Sequence, residues 1–184
     1  KMDLAGNGAN DLLYGTYLGG ADGDYGRSIT AHSGIIYVSG YSLSADFPLV
    51  YEIQTLGGSA DLFLSRIYPA GNGSSDLIDS TFLGGSGYEV ASSLVLNAAG
   101  EAYLVGYTAS TDFPATAGVY DQTFGGGDPN YDGAIAKVGF NGGGAGVATT
   151  FTQSPVMCSD LTIKASETIT VTNYVSIVTG SMPA

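Results

Sequence analysis

The chain has 184 residues and a formal net charge of −12, although only 12% of its residues are charged; five Lys and Arg stand against 17 Asp and Glu. That balance argues against nucleic acid as a partner and favours cations, calcium above all. Hydrophobic residues at 44% exclude disorder, and no apolar run reaches the roughly 18 residues of a membrane-spanning helix.

The 29 glycines and 6 prolines predict frequent turns. Lys1 precedes Met2, so the chain reads as a trimmed precursor that has lost a secretion signal. An acidic, Lys-poor, Tyr- and Gly-rich composition without tryptophan fits an extracellular or cell-surface protein. The lone Cys158 forbids an internal disulfide, leaving a buried small residue, a free thiol or half of an intermolecular bridge.

Residues 4–15, LAGNGANDLLYG, echo the Gly-Asp nonapeptide of calcium-binding β-rolls in a single copy, and read as a turn before the first strand. Strands are predicted at 12–18, 26–32, 35–42 and 60–68, then at 76–83, 90–97, 101–108 and 131–138. The reasons are period-two alternation, β-branched and aromatic residues, and glycine punctuation. Ser33-Gly34 marks a turn, with His32 beside it. Asp46-Phe47-Pro48 and Asp112-Phe113-Pro114 read as turn elements: the aspartate accepts local N–H bonds, the phenylalanine packs and the proline stops pairing.

The chain repeats itself. Thr16-Tyr17-Leu18-Gly19-Gly20 matches Thr81-Phe82-Leu83-Gly84-Gly85, offset by 65; residues 35–48 match 101–114, offset by 66; residues 61–67 match 132–138, offset by 71. The offset grows only in loops, which absorb insertions. Residues 1–144 therefore divide into two units, about 11–73 and 74–143, and residues 145–184 form a separate C-terminal β tail.

The order YGTYLGG, SIT, GIIYVSGYS, DFP, DLFLSRI, answered by DSTFLGG, SSLVL, EAYLVGYT, DFP, DGAIAKV, resembles the SBBP repeat, named for β-propeller proteins. The resemblance covers about residues 11–140. It implies four-stranded propeller blades in a secreted or cell-surface protein, and carries over no catalytic residue. A closed propeller needs about four to eight blades, and two make no ring. Either the chain is a piece of a longer one, or several chains complete a ring, or its two sheets face each other. The expected fold is all-β, two four-stranded blade-like antiparallel sheets, packed like a sandwich if the chain is complete, with an extra long C-terminal strand.

Candidate sites are few. Asp22 and Asp24 lie two apart in a glycine-rich loop, and Asp128, Asn130 and Asp132 repeat that spacing; both loops are candidate calcium sites, although neither has the closing glutamate of an EF-hand. One histidine, His32, excludes a multi-histidine metal site, and no G-x-S-x-G elbow accompanies it. No catalytic residue is assigned. The pairs Tyr37/Tyr41 and Tyr103/Tyr107 each share a strand face, suited to packing or to a surface glycan. Asn72-Gly73-Ser74 is a formal glycosylation sequon.

In the tail, Ile169, Val171, Val175 and Ile177 share one face of an uncharged strand at 168–179, about 40 Å long at about 3.3 Å per residue. Such a strand either pairs within its own domain or, lacking the usual guards against edge pairing, is donated to a neighbouring subunit. The expected function is a non-enzymatic structural subunit of an extracellular, filament-like assembly of identical copies. The alternative is an adhesive or carbohydrate-binding propeller fragment of a larger secreted protein.

Overall fold

A computed structural model describes residues 8–126 and 130–140. The tail strand at 168–179, with Ile169, Val171, Val175 and Ile177, lies outside the described residues, as do Asp128 and Cys158.

The fold is all-β. Sheet 1 is an antiparallel meander of β1 (Asp24–His32), β2 (Ile35–Ser42), β3 (Asp61–Ile67) and β4 (Leu77–Leu83), in that spatial order. Sheet 2 holds β5 (Glu89–Leu96), β6 (Ala102–Thr108) and β7 (Asp132–Val138), likewise antiparallel and in order. Two 3₁₀ turns, Gly8–Asp11 and Gly73–Asp76, are the only helical elements among the described residues, and no helix is long and apolar enough to cross a membrane.

Turn chemistry sets the register. Ser33 (φ +50°) and Gly34 (φ +81°) both take the left-handed region, as a two-residue hairpin turn requires, and bring His32 opposite Ile35. Asn97 replaces this turn between β5 and β6: its Oδ1 accepts the amides of Ala99 and Glu101. A β-bulge falls between Gly26 and Ser28, and its repeat partner falls between Ala91 and Ser93. The two sheets are thus equivalent down to an irregularity.

Two expectations change. The strand expected at 12–18 does not form: residues 13–20 lie outside any strand. The strand expected to open the second unit, 76–83, is instead β4 and pairs with β3 through Leu62–Leu83, Phe63–Phe82 and Leu64–Thr81. Sheet 2 therefore holds three strands among the described residues. The physical reason is proximity. Residues 68–76 fold back on β3, held by the Asp76 carboxylate, which accepts the amides of Gly71 and Asn72 and the Tyr14 hydroxyl. A periodic sequence fixes the period but not the point at which one sheet hands over to the next; the backbone pairing puts that point after Leu83.

Both sheets belong to one compact unit. Their core lies between them: Tyr37, Leu62 and Leu64 of sheet 1 pack against Leu94, Ala102 and Leu104 of sheet 2. A second apolar cluster covers the opposite face of sheet 1, where Phe47 of the first DFP element packs on Phe63 and Phe82. Arg66 bonds Asp79 across β3 and β4 and stacks on Phe140, 3.8 Å from its ring centre.

One repeat position tests how context decides burial. Phe82 is fully buried and its partner Tyr17 fully exposed. Phe82→Ala should cost about 3–5 kcal/mol of unfolding free energy, and Tyr17→Ala within about 0.5 kcal/mol of nothing. Chemical denaturation of both variants checks this; equal losses would contradict the assigned pairing of β4.

Candidate functional site

The most organised polar feature of the molecule is a carboxylate junction at the heads of the strands, built twice. In the first copy, Asp24 at the start of β1 accepts the Gly20 amide (2.8 Å) and the Ser44 hydroxyl (3.1 Å). Asp46 of the DFP element accepts the Ala21 amide at 2.8 Å, and Ser44 Oγ accepts the Asp22 amide at 3.0 Å. In the second copy, Glu89 accepts the Gly85 amide at 3.0 Å and the Ser110 hydroxyl. Asp112 accepts the Ser86 amide at 2.9 Å, and Ser110 Oγ accepts the Gly87 amide at 2.7 Å.

These bonds explain why the glycine pair recurs. A Cβ on Gly20 or Gly85 would run into the carboxylate of Asp46 or Asp112 and the Cβ of Ser44 or Ser110. Only glycine lets the backbone come close enough to donate. Each DFP aspartate also accepts an amide 25 or 26 residues upstream, tying two loops together, and the Asp112 carboxylate accepts a local amide, its own, besides. Ser86 donates through both its amide and its hydroxyl, which holds the Asp112 carboxyl below its ordinary range.

The junction closes between the sheets. Ala60 and Tyr88 form a parallel bridge, and the Glu89 amide donates to the Ala60 carbonyl at 2.8 Å. This brings Asp61 of β3 onto Glu89 of β5, both fully buried. Asp61 Oδ2 accepts the Gly57 amide at 2.8 Å, whereas Oδ1 is buried with no conventional donor. A Cβ on Gly84 would lie 2.6 Å from both Asp61 Oδ1 and Glu89 Oε2, so the two carboxyls converge there. Burial, reinforced by the Glu89 charge and its hydrogen bond, pushes the Asp61 carboxyl up to about 6. Asp61 therefore keeps its proton through mildly acidic pH and donates it to Glu89.

Of the candidate calcium ligands, Asp22 and Asp24 fall on this junction. Asp24 uses Oδ2 for the two bonds above, and its Oδ1 is buried without a partner. Asp22 is exposed, and its backbone amide, not its carboxylate, enters the network. Asp132 Oδ2 accepts the Gly125 amide at 2.6 Å, while Asp128 lies outside the described residues. Among the described residues, no three His, Cys, Asp or Glu side chains gather as a metal cluster.

His32 ends β1 beside its turn, near Gly100 and the Tyr37 hydroxyl. Tyr37 and Tyr41 are buried between the sheets. Tyr41 belongs to an aromatic row missed in the sequence: Tyr25 stacks on it at 4.6 Å, and the row continues through Tyr88 and Tyr107 to Tyr131. A cleft of about 260 Å³ near Asp79, Thr81 and Phe140 lies apart from the carboxylate junction. The buried pair Asp61 and Glu89 was also missed, although its signal was present. Gly20 to Asp24, Gly57 to Asp61 and Gly85 to Glu89 share one spacing, a glycine amide bonded to a carboxylate four residues on.

No protein-family model matches the chain, and no curated protein matches it.

The Asp61–Glu89 pair makes stability depend on pH. A folded-state value raised from 3.8 to about 6 gives a contribution fully present below about pH 4 and lost as pH rises through about 6. The melting midpoint should therefore fall between pH 4 and 7. Asp61→Asn, which still accepts from Gly57 and donates to Glu89, should flatten that slope. A slope unchanged in Asp61→Asn would show that the pair does not share a proton.

Proposed function

We propose that the chain is a non-enzymatic structural subunit of an extracellular or cell-surface assembly, in which copies join by β-strand exchange. The observation that carries this reading is the outer edge of β7. In sheet 1 the equivalent strand, β3, is covered by β4. Among the described residues no strand covers β7, so sheet 2 presents a row of backbone groups suited to accept one. The most polar constellation, Asp61 with Glu89, is sealed from solvent and ties the two sheets together, a role suited to construction and out of a substrate's reach. The SBBP-like repeat and the absence of any assigned nucleophile favour the same reading.

The tail strand at 168–179 is the proposed donor. Laid in a neighbour's sheet, Ile169, Val171, Val175 and Ile177 would contribute on the order of 6–12 kcal/mol before ordering costs, at about 1.5–3 kcal/mol per buried side chain. Val171→Lys combined with Val175→Lys should weaken assembly, read by sedimentation and electron microscopy. Oligomers or filaments formed by this variant as readily as by the parent chain would refute tail exchange.

Calcium belongs to the same proposal, with Asp22, Asp24, Asp128 and Asp132 as ligands. The buried, unpartnered Oδ1 of Asp24 and the charge of −12 support it. Calcium should raise the melting midpoint and a chelator lower it; an identical midpoint under both conditions would remove calcium from the account.

A further inference from the structure

The two sheets of the chain do not pack through equivalent faces. Sheet 1 contributes the face bearing Tyr37, Leu62 and Leu64; sheet 2 contributes the face bearing Leu94, Ala102 and Leu104. Strand register, including the shared bulge, maps one sheet onto the other: Ile29 pairs Val38 where Leu94 pairs Leu104, and Leu64 pairs Ser39 where Ile135 pairs Val105. Each sheet therefore retains, on its outer side, the equivalent of the face its partner has buried.

Among the described residues both outer faces carry exposed apolar side chains, on sheet 1 along β1, beside the part of that face that Phe47 covers. Leu64 is 1% exposed and its equivalent Ile135 is 78% exposed. Leu94 is 5% exposed and its equivalent Ile29 is 69% exposed. Tyr103 and Val105 stand exposed beside Ile135, where their equivalents Tyr37 and Ser39 are buried. An exposed apolar stripe of this kind marks an interaction surface.

We propose that the outer face of sheet 2 in one copy docks on the outer face of sheet 1 in a second copy. This repeats between chains the contact that holds the two sheets of one chain together. It rests on the self-assembly reading above, but not on the tail strand. A polar observation independent of the apolar stripe supports the same partner. Within the chain, Glu89 meets Asp61. The equivalent of Glu89 is Asp24, whose Oδ1 is buried and unpartnered, and the equivalent of Asp61 is Asp132. The docking that covers Ile29 with Ile135 brings Asp132 of one copy to Asp24 of the next.

The contact is heterologous, so it propagates. A closed propeller of about four to eight sheets would need two to four copies; a rotation that does not close gives a filament. Each copy carries −12, so added salt should strengthen the association.

Sedimentation of the full chain across concentration tests the proposal. Ile29→Lys and Ile135→Lys each alter an exposed side chain, and circular dichroism should show both folded. Each alone should weaken association about tenfold or more. An equimolar mixture should then form a discrete two-chain complex, because each variant keeps one sound face. Association by the single variants equal to that of the parent chain would overturn the proposal. So would a mixture that stays monomeric, or a parent chain monomeric at every concentration, which would leave the faces to another occupant. The Val171→Lys/Val175→Lys variant separates the two joints. If it alone disrupts assembly, the face contact fails and the tail stands; if only the face variants do, the tail fails and the face contact stands.

Discussion

The molecule is organised by buried carboxylates that need donors. An ionised or hydrogen-bonding carboxyl taken out of water is costly unless its oxygens are satisfied. Here the donors are backbone amides of the glycine loops and nearby hydroxyls, Ser44 in the first unit and Ser86, Thr108 and Ser110 in the second. The strand-head carboxylates Asp24, Asp61 and Glu89 each accept a glycine amide four residues earlier, and each DFP aspartate accepts an amide from the glycine loop ahead of its own unit's first strand. These bonds hold the loop between β4 and β5 against the loop after β6, and in doing so place sheet 2 on sheet 1. The apolar core then fills the space so defined. A core of Leu, Ala and Val tolerates several registers; a carboxylate held by an amide and a hydroxyl at fixed positions tolerates one.

Much of this was legible in the letters. The strands 35–42, 60–68, 101–108 and 131–138 agree with the structure to within one residue at each end, because period-two alternation there is bounded by glycine or proline. The two-fold repeat was plain, and the turn at Ser33-Gly34 took its expected form. Two things did not show. The first was phase: Thr16–Gly20 and Thr81–Gly85 are nearly the same pentapeptide, yet Phe82 is buried in a sheet and Tyr17 is outside one. Local propensity is equal at the two sites, and what differs is the strand available beside them. The second was distance. Asp46 and Asp112 find donors 25 and 26 residues away, and no window of sequence shows which amide will arrive.

The Asp61–Glu89 pair illustrates why the carboxylate site escaped notice. Asp61 opens a strand, DLFLSRI, in which every residue is buried. Seen in sequence, its acid looks like a solvated strand end. In the fold it is covered by the neighbouring sheet, and one proton between two carboxyls replaces the cation that a charge count alone would have placed there. Below about pH 6 the interior accommodates this pair not by pairing acids with the scarce bases but by leaving one acid neutral. Arg66 and Lys137, at equivalent positions, are each spent on a single partner, Asp79 and Glu101.

The way the sheets pack also decides what the ends of the unit are. Two equivalent sheets related by a two-fold axis would bury the same face from each and leave two identical backs, which have no intrinsic reason to meet. Stacked in the same sense, they bury unlike faces and leave unlike backs. In that arrangement the contact inside the chain is itself a description of the contact outside it: whatever Leu64 requires, Ile135 still requires, and whatever Leu94 supplies, Ile29 can still supply. The bulge shared by β1 and β5 shows that the repeat is preserved at the level of backbone shape, so the complementarity extends from side-chain type to surface form. Tandem repetition within one chain thus carries the geometry of its own continuation, and closure or extension depends only on the angle through which one sheet turns relative to the next.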